Sequence, residues 1–202
     1  MYIFETERAM NICVYGASAD GLDGEYFSAA YELGRLLARE GHGLVFGGGR
    51  GGLMGECARG ALEAGGAVTG IAPRFFDEPG ILRKDCAEFI FTETMSERKQ
   101  LMAGRADAFI ALPGGIGTFE EFFETLTLKQ LGRHCKPMVL LNTRGYYEPM
   151  TALLARSAAE GFMSHGCMAL FSLCDTPTQA LELVKAPSGP RGSIRRLSDY
   201  SK

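Results

Sequence analysis

Two glycine-rich segments have the residue types and spacing of anion-binding loops. Residues 47–52 read Gly-Gly-Gly-Arg-Gly-Gly after a short apolar run, and residues 112–118 read Leu-Pro-Gly-Gly-Ile-Gly-Thr after another. Glycine lets backbone N–H groups approach a ligand closely, and the N–H groups that open a helix favour a phosphate. Thr118 adds a hydroxyl donor. The two loops predict a nucleotide phosphate site.

The first loop has two further interpretations. It satisfies the G-x-G-x-x-G pattern of dinucleotide-binding proteins, which would suggest an oxidoreductase. The acidic residue expected after the next strand is missing, however, because Ile71 is followed by Ala72, Pro73 and Arg74. The loop also lacks the Lys-Ser/Thr pair of an ATP-binding P-loop. A tight strand-to-helix turn that binds nothing is the structural alternative.

Glu121 and Arg98 are the residues that could perform chemistry. Glu121 could accept protons or orient water, but Thr118 and Glu121 also have the spacing of a helix capping box. Arg98 shares a helical face with Met95 and Met102, at positions i, i+3 and i+7. An arginine turned inward requires an anion or a carboxylate partner, whereas a snorkelling arginine would need neither. Together they favour a catalytic pair.

Short apolar runs alternate with longer amphipathic segments, which is typical of β-α-β units. The predicted strands are residues 12–15, 43–46, 67–71, 89–91, 108–112 and 138–141, with a weaker run at 168–173. The predicted helices are residues 24–40, 53–64, 95–104, 119–131, 146–160 and 177–185, and Thr94 with Glu97 forms a second capping box. The pattern predicts a doubly wound, Rossmann-like α/β fold, a parallel sheet with helices on both faces. Both glycine loops and residues 16–18 would then meet at one sheet edge.

Composition limits the alternatives. The 202 residues suit one domain, assigned to residues 1–186, and residues 187–202, rich in Pro, Gly, Ser and Arg, predict a flexible tail. A net charge of −3 gives no reason to expect nucleic-acid binding, and nothing suggests a membrane span. Six scattered cysteines predict reduced thiols rather than a metal site. The N-terminus has no secretory pattern, which predicts a cytoplasmic protein.

Taken together, the segments resemble the Lonely Guy (LOG) family of cytokinin riboside 5′-monophosphate phosphoribohydrolases. The family pattern P-G-G-x-G-T-x-x-E stands intact from Pro113 to Glu121, and the companion Arg-Lys pair is Arg98 and Lys99. The likeness extends over about residues 12–164. Members have often been labelled lysine decarboxylases, but the sequence has no lysine motif for pyridoxal phosphate.

The resemblance implies a role for each matching residue. Arg98 and Glu121 would be catalytic, acting on a nucleoside 5′-monophosphate to release free base and ribose 5-phosphate. The family implies no metal and no cofactor, and it implies a homodimer. The implied substrate-binding residues are Ser18, Gly48, Gly49, Met95, Lys99, Pro113, Gly114, Gly115, Ile116, Gly117, Thr118 and Glu120.

Three points stay open from the sequence. Many relatives carry an aromatic residue where this chain has Leu128, so the sequence favours AMP over a cytokinin riboside monophosphate as the substrate. A nucleotide-binding carrier or sensor without catalysis could use the same fold, although phosphate binding alone needs neither Arg98 nor Glu121. A different transferase or hydrolase acting on a sugar phosphate is the other alternative.

Overall fold

The computed structural model describes residues 8–186. The tail predicted for residues 187–202 lies outside the described residues, and the assignment of residues 1–186 to one domain stays a prediction. No described helix is both long enough and apolar enough to cross a membrane.

The strands and helices alternate along the described chain. The strands are β1 (Asn11–Tyr15), β2 (Gly43–Phe46), β3 (Val68–Pro73), β4 (Glu88–Thr92), β5 (Ala108–Ala111), β6 (Met138–Leu141) and β7 (Ser172–Cys174). The helices are α1 (Gly24–Arg39), α2 (Gly52–Glu63), α3 (Met95–Arg105), α4 (Ile116–Gln130), α5 (Glu148–Ala159) and α6 (Pro177–Lys185). Short 3-10 turns cover Arg74–Phe76, Thr143–Gly145 and His165–Leu170.

Within the described chain, the strands form one parallel sheet in the order β4-β3-β2-β1-β5-β6-β7. The chain runs outward from β1 through β4, then crosses back to place β5 on the other side of β1. The strand order therefore reverses between β1 and β5, and in such sheets ligands bind outside the carboxyl ends of the strands at this point. The predicted doubly wound sheet is confirmed.

The helices cover both faces of the sheet. On one face α1, α2 and α6 pack on side chains such as Val14 and Phe46. On the other face α3 and α4 pack on side chains such as Tyr15 and Phe109. Helices α1 and α2 approach closely at Gly34, where an added Cβ would lie 1.9 Å from the carbonyl oxygen of Cys57. Packed helices thus cover both faces of the sheet.

One predicted strand was misplaced. Half of the run at residues 168–173 belongs to a 3-10 turn, His165–Leu170, and β7 occupies only Ser172–Cys174. The hydroxyl of Ser164 accepts a hydrogen bond from the Gly166 amide at 3.2 Å, which fixes the start of the turn. Apolar composition alone does not distinguish a short turn from a strand when a local side-chain cap decides between them.

Candidate active site

A cleft of about 650 Å³ lies at the carboxyl ends of β1, β2 and β5. Nine of its lining residues are catalytic or substrate-binding positions that the sequence predicts, and Gly47 and the loop after β1 line the cleft as well. These nine are Ser18, Gly49, Met95, Arg98, Gly115, Ile116, Gly117, Thr118 and Glu121. The fold therefore brings both glycine loops and the proposed catalytic pair to one crevice.

The second glycine loop opens α4 at the cleft. Gly115 is the N-cap, in an extended conformation with φ −92° and ψ −155°, and no side chain caps the helix. The N–H groups of the first helical turn have no acceptor within their own helix. They lie at the positive end of the helix dipole and together form a site suited to a phosphate.

Three consecutive carbonyl groups of this loop accept hydrogen bonds from other parts of the protein. The hydroxyl of Tyr147 donates to the carbonyl of Leu112 at 2.7 Å, and the hydroxyl of Tyr146 donates to the carbonyl of Gly114 at 2.6 Å. Between them, the amide of Ala17 donates to the carbonyl of Pro113 at 3.0 Å. Carbonyl oxygens that would repel an anion are thereby engaged, and the loop is held in place by hydrogen bonds from the rest of the protein.

The capping-box interpretation of Thr118 and Glu121 is wrong. Helix α4 begins at Ile116 rather than near residue 119, so Thr118 is the third residue of the helix and not its N-cap. Its side chain packs on Gly114, where an added Cβ would lie 2.1 Å from the Thr118 hydroxyl oxygen. Gly115 adopts the extended N-cap conformation without a capping side chain. The helix therefore begins three residues earlier than the capping pattern predicts.

Glu121 instead forms a buried ion pair with Arg98. The distance from Arg98 Nη1 to Glu121 Oε1 is 2.6 Å, and the two side chains are 6% and 8% exposed. Arg98 Nε also donates to the carbonyl of Ile71 at 3.2 Å. The snorkelling alternative for Arg98 is therefore wrong, because the guanidinium is turned inward and holds a carboxylate.

Two opposing effects act on the Glu121 carboxyl group. Burial raises its pKa above the ordinary value and is the larger effect, while the Arg98 guanidinium lowers the pKa by attracting the charged form. The balance leaves a carboxyl group with a raised pKa at the wall of a cleft. Such a group is a candidate for proton exchange with a bound ligand or water.

Five predicted substrate-binding residues do not line the cleft. Lys99 on α3 forms ion pairs with two residues of α4, Glu120 and Glu124, and the distance from Lys99 Nζ to Glu124 Oε2 is 2.8 Å. These ion pairs connect α3 to α4 outside the lining of the cleft. Pro113 and Gly114 belong to the fixed back of the loop, and the Gly48 carbonyl accepts from the Arg83 amide at 2.9 Å. These five residues lie outside the lining of the cleft, and their contact with a substrate stays a prediction.

Sequence reasoning missed the opposite wall of the cleft. Phe76, Ile81 and Leu82 come from the segment between β3 and β4, and Met54 comes from α2. Hydrogen bonds attach this segment to the first glycine loop, including one from the Arg50 amide to the Ile81 carbonyl at 2.8 Å. Phe76 and Ile81 are large apolar side chains that remain 39% and 48% exposed at the cleft. The sequence signal that could have revealed this wall is the presence of large apolar residues in the segment between two predicted strands.

Asp20 was also missed. Its carboxylate accepts a hydrogen bond from the Gly52 amide at 2.9 Å, which attaches the loop after β1 to the start of α2. Asp20 lines the cleft. Among residues 8–186, no three His, Cys, Asp or Glu side chains are grouped as metal ligands would be.

Comparison with known proteins assigns the family. The family model described as "possible lysine decarboxylase" matches residues 54–184. A cytokinin riboside 5′-monophosphate phosphoribohydrolase of Rhodococcoides fascians is 40% identical over 178 residues, covering 88% of this chain and 90% of that protein. The chain belongs to the LOG family. A LOG protein of Arabidopsis thaliana with the same activity name is 38% identical, covering 88% of this chain and 84% of its own.

Solved structures share the fold. The molybdenum cofactor carrier protein of Chlamydomonas reinhardtii superposes with a TM-score of 0.68 at 26% identity, covering 88% of this chain and 97% of that chain. A molybdenum cofactor binding protein of Rippkaea orientalis gives a TM-score of 0.67 at 25% identity, covering 88% of this chain and 96% of its own. The sheet is therefore shared with proteins whose names describe binding or carriage of the molybdenum cofactor.

Proposed function

We propose that this LOG protein hydrolyses the N-glycosidic bond of purine or cytokinin riboside 5′-monophosphates, releasing free base and ribose 5-phosphate. The observation that carries the proposal is the buried Arg98–Glu121 pair at the wall of a cleft that also contains a helix N-terminus suited to phosphate. The relatives named as phosphoribohydrolases support the same reaction.

In this proposal the 5′-phosphate binds at the start of α4. The first-turn N–H groups from Gly115 to Thr118 and the Thr118 hydroxyl would contact its oxygens, with Ser18 and Gly49 facing it from the other loops. A phosphate at a helix N-terminus is stabilised by about 0.3–1 kcal/mol per charge when exposed and by up to about 2 kcal/mol when partly buried. The phosphate would thus fix the position of the ribose relative to Glu121.

Glu121 would act on the ribose and on water. Breaking the bond between C1′ and the base nitrogen develops positive charge on the sugar, which a carboxylate stabilises. The same carboxylate can orient the attacking water and accept its proton, while the departing base takes the bonding electron pair and a proton. Arg98 would keep the Glu121 carboxylate in the correct position and orientation relative to the nucleotide. The transition state resembles that of glycosidases, and no covalent intermediate is required.

The apolar side chains of the cleft affect which base the protein prefers. Met54, Phe76, Ile81 and Leu82 line the cleft together with Met95. Such side chains gain about 25 cal/mol for each Å² of apolar surface removed from water, so they favour a base that carries an apolar substituent. We therefore place cytokinin riboside monophosphates ahead of AMP as substrates.

The family resemblance also supports a cytoplasmic homodimer. None of the six cysteines, all within the described residues, is in a disulfide, as in proteins of reducing compartments. Light scattering of the purified protein at several concentrations tests the dimer, and a monomer mass at micromolar concentration would contradict it.

A carrier without catalysis is the second candidate, and the likeness to molybdenum cofactor carriers favours it. A carrier needs a phosphate site and a cleft but has no use for a carboxylate buried beside an arginine. The two candidates therefore differ in whether Glu121 is needed for turnover.

The deciding experiment is chromatography of reactions with AMP and with isopentenyladenosine monophosphate. We expect free base, and we expect Glu121→Gln to lower turnover at least about 10²-fold, the scale for loss of a positioned acid–base group. Glu124→Gln is the matched control, because Glu124 lies on the same helix with its side chain 45% exposed and paired with Lys99. Binding of either nucleotide without release of base would support the carrier instead.

A further inference from the structure

We propose that Gly47 is a positioning residue for Arg98, and that its missing side chain, rather than any contact with phosphate, is its contribution to the reaction. Gly47 follows β2 at the carboxyl edge of the sheet and is buried. The inference rests on the proposed function only for its kinetic consequence, since the packing of Gly47 and Arg98 is tested separately below.

The guanidinium of Arg98 occupies the space that a side chain at position 47 would fill. A Cβ built on Gly47 would lie 2.0 Å from Arg98 Nη2 and 3.1 Å from Arg98 Cζ. Contacts below 3.0 Å are essentially never seen for a real Cβ, so one of the two groups would have to move. Only glycine at position 47 allows the guanidinium to lie where it does.

The guanidinium has little freedom to move without losing its partners. Its Nε donates to the Ile71 carbonyl at 3.2 Å, and its Nη1 donates to Glu121 Oε1 at 2.6 Å. Nη2 has no acceptor among residues 8–186, and Arg98 lines the cleft. Displacing Nη2 would therefore move the whole planar guanidinium and disturb its bonds to Glu121 and to the Ile71 carbonyl.

The neighbouring glycines do not share this role. At Gly49, which lines the same cleft, an added Cβ would meet Met54 Cε at 3.4 Å, an ordinary contact. Gly48 has a φ of +76°, so its need for glycine comes from its backbone conformation. Glycine is thus required at positions 47 and 48 for different reasons, position 49 has room for a Cβ, and only Gly47 is adjacent to the guanidinium.

The kinetic test is a double-mutant cycle. Gly47→Ala should lower kcat about 10²-fold, the scale for a small misplacement of a catalytic group, with KM for isopentenyladenosine monophosphate changed less than about threefold. In an Arg98→Lys background, which lacks Nη2, the same change should lower kcat less than about threefold. Equal losses of kcat in both backgrounds would overturn the proposal, as would a rise in KM at unchanged kcat.

Gly43→Ala is the matched control. Gly43 begins the strand that Gly47 follows, and its added Cβ would meet the flexible side-chain oxygen of Asn11 at 2.5 Å. We expect kcat and KM of this variant to equal those of the wild type. A loss of kcat comparable with that of Gly47→Ala would show that the strand, not the contact with Arg98, is responsible.

A stability measurement covers the case in which Gly47→Ala folds poorly or the wild type is inactive. Arg98→Ala removes the group that the new Cβ would meet, so adding Gly47→Ala to Arg98→Ala should lower Tm much less than adding it to the wild type. Equal losses of Tm would overturn the proposal. If no nucleotide is hydrolysed, the proposed function fails while this comparison still tests the packing.

Discussion

Replacing Arg98 with methionine should make the stability of the protein depend on pH in a specific way. Methionine keeps most of the side-chain volume but leaves Glu121 buried without its cation. Burial already raises the pKa of Glu121 in the folded protein, and the guanidinium is the main group that opposes this effect. Without Arg98 the pKa of Glu121 should rise further.

The size of the effect follows from the geometry of the pair. An opposite charge within hydrogen-bonding distance lowers a carboxyl pKa by about 1–3 units, and each unit corresponds to about 1.4 kcal/mol. With a nitrogen–oxygen distance of 2.6 Å and both side chains less than 10% exposed, we take the middle of that range. The variant should therefore lose about 3 kcal/mol of stability, at the lower end of the cost of breaking a buried ion pair.

The sign of the pH dependence is fixed by the direction of the pKa. A carboxyl group whose pKa is raised on folding gives its full contribution to stability below its unfolded pKa, about 4.3 for glutamate, and loses it as the pH rises through the folded pKa. As the pH rises, the stability of the wild type stops falling once the pH has passed the pKa of Glu121 in the folded wild type. The stability of the variant continues to fall, because Glu121 has a higher pKa in the folded variant. The gap between them should be smallest at acid pH and widest at alkaline pH.

Urea unfolding of both proteins at intervals from acid to alkaline pH measures this gap. Arg105→Met is the control on the same helix, since Arg105 pairs with Glu88 at 2.7 Å but both side chains are more than 40% exposed. Its cost should stay below about 1 kcal/mol with no trend in pH. A cost for Arg98→Met no larger than the control, or a cost that is constant across pH, would refute the reasoning.

Two other variants test the walls of the cleft. Tyr146→Phe removes the 2.6 Å hydrogen bond to the Gly114 carbonyl, so KM for either nucleotide should rise about fivefold at nearly constant kcat, for a bond worth about 1 kcal/mol. Tyr31→Phe, which removes a 2.8 Å bond to surface Glu63, should leave KM unchanged. Phe76→Ala should raise KM about fivefold for isopentenyladenosine monophosphate and little for AMP, through about 1 kcal/mol of lost apolar contact. Equal effects on both nucleotides would contradict an apolar base site.

Much of this arrangement follows from local sequence patterns. The inward direction of Arg98 could be predicted because methionines three residues before it and four after it share its helical face, of which Met102 is buried and Met95 lines the cleft. The meeting of both glycine loops could be predicted because parallel strands place their carboxyl ends at one edge. Both inferences need only a periodicity and a topology rule, and both are confirmed.

Other features depend on contacts between residues far apart in the chain. Tyr146 lies 32 residues from the loop that it holds, and a tyrosine after a strand has the same pattern as a core residue. The requirement for glycine at position 47 depends on where an arginine 51 positions later places one nitrogen. The start of α4 was misplaced because Thr118 fits a capping pattern that the preceding glycines make unnecessary.

The three anchored carbonyls of residues 112–114 have a consequence for the end of the reaction cycle. A phosphate site whose loop is held by hydrogen bonds within the protein recognises the phosphate group whether or not a base is still attached. Ribose 5-phosphate should therefore remain a competitor for the cleft after the bond has broken, and accumulating pentose phosphate should slow further turnover. In such an enzyme the supply of nucleotide and the removal of sugar phosphate would control the rate together.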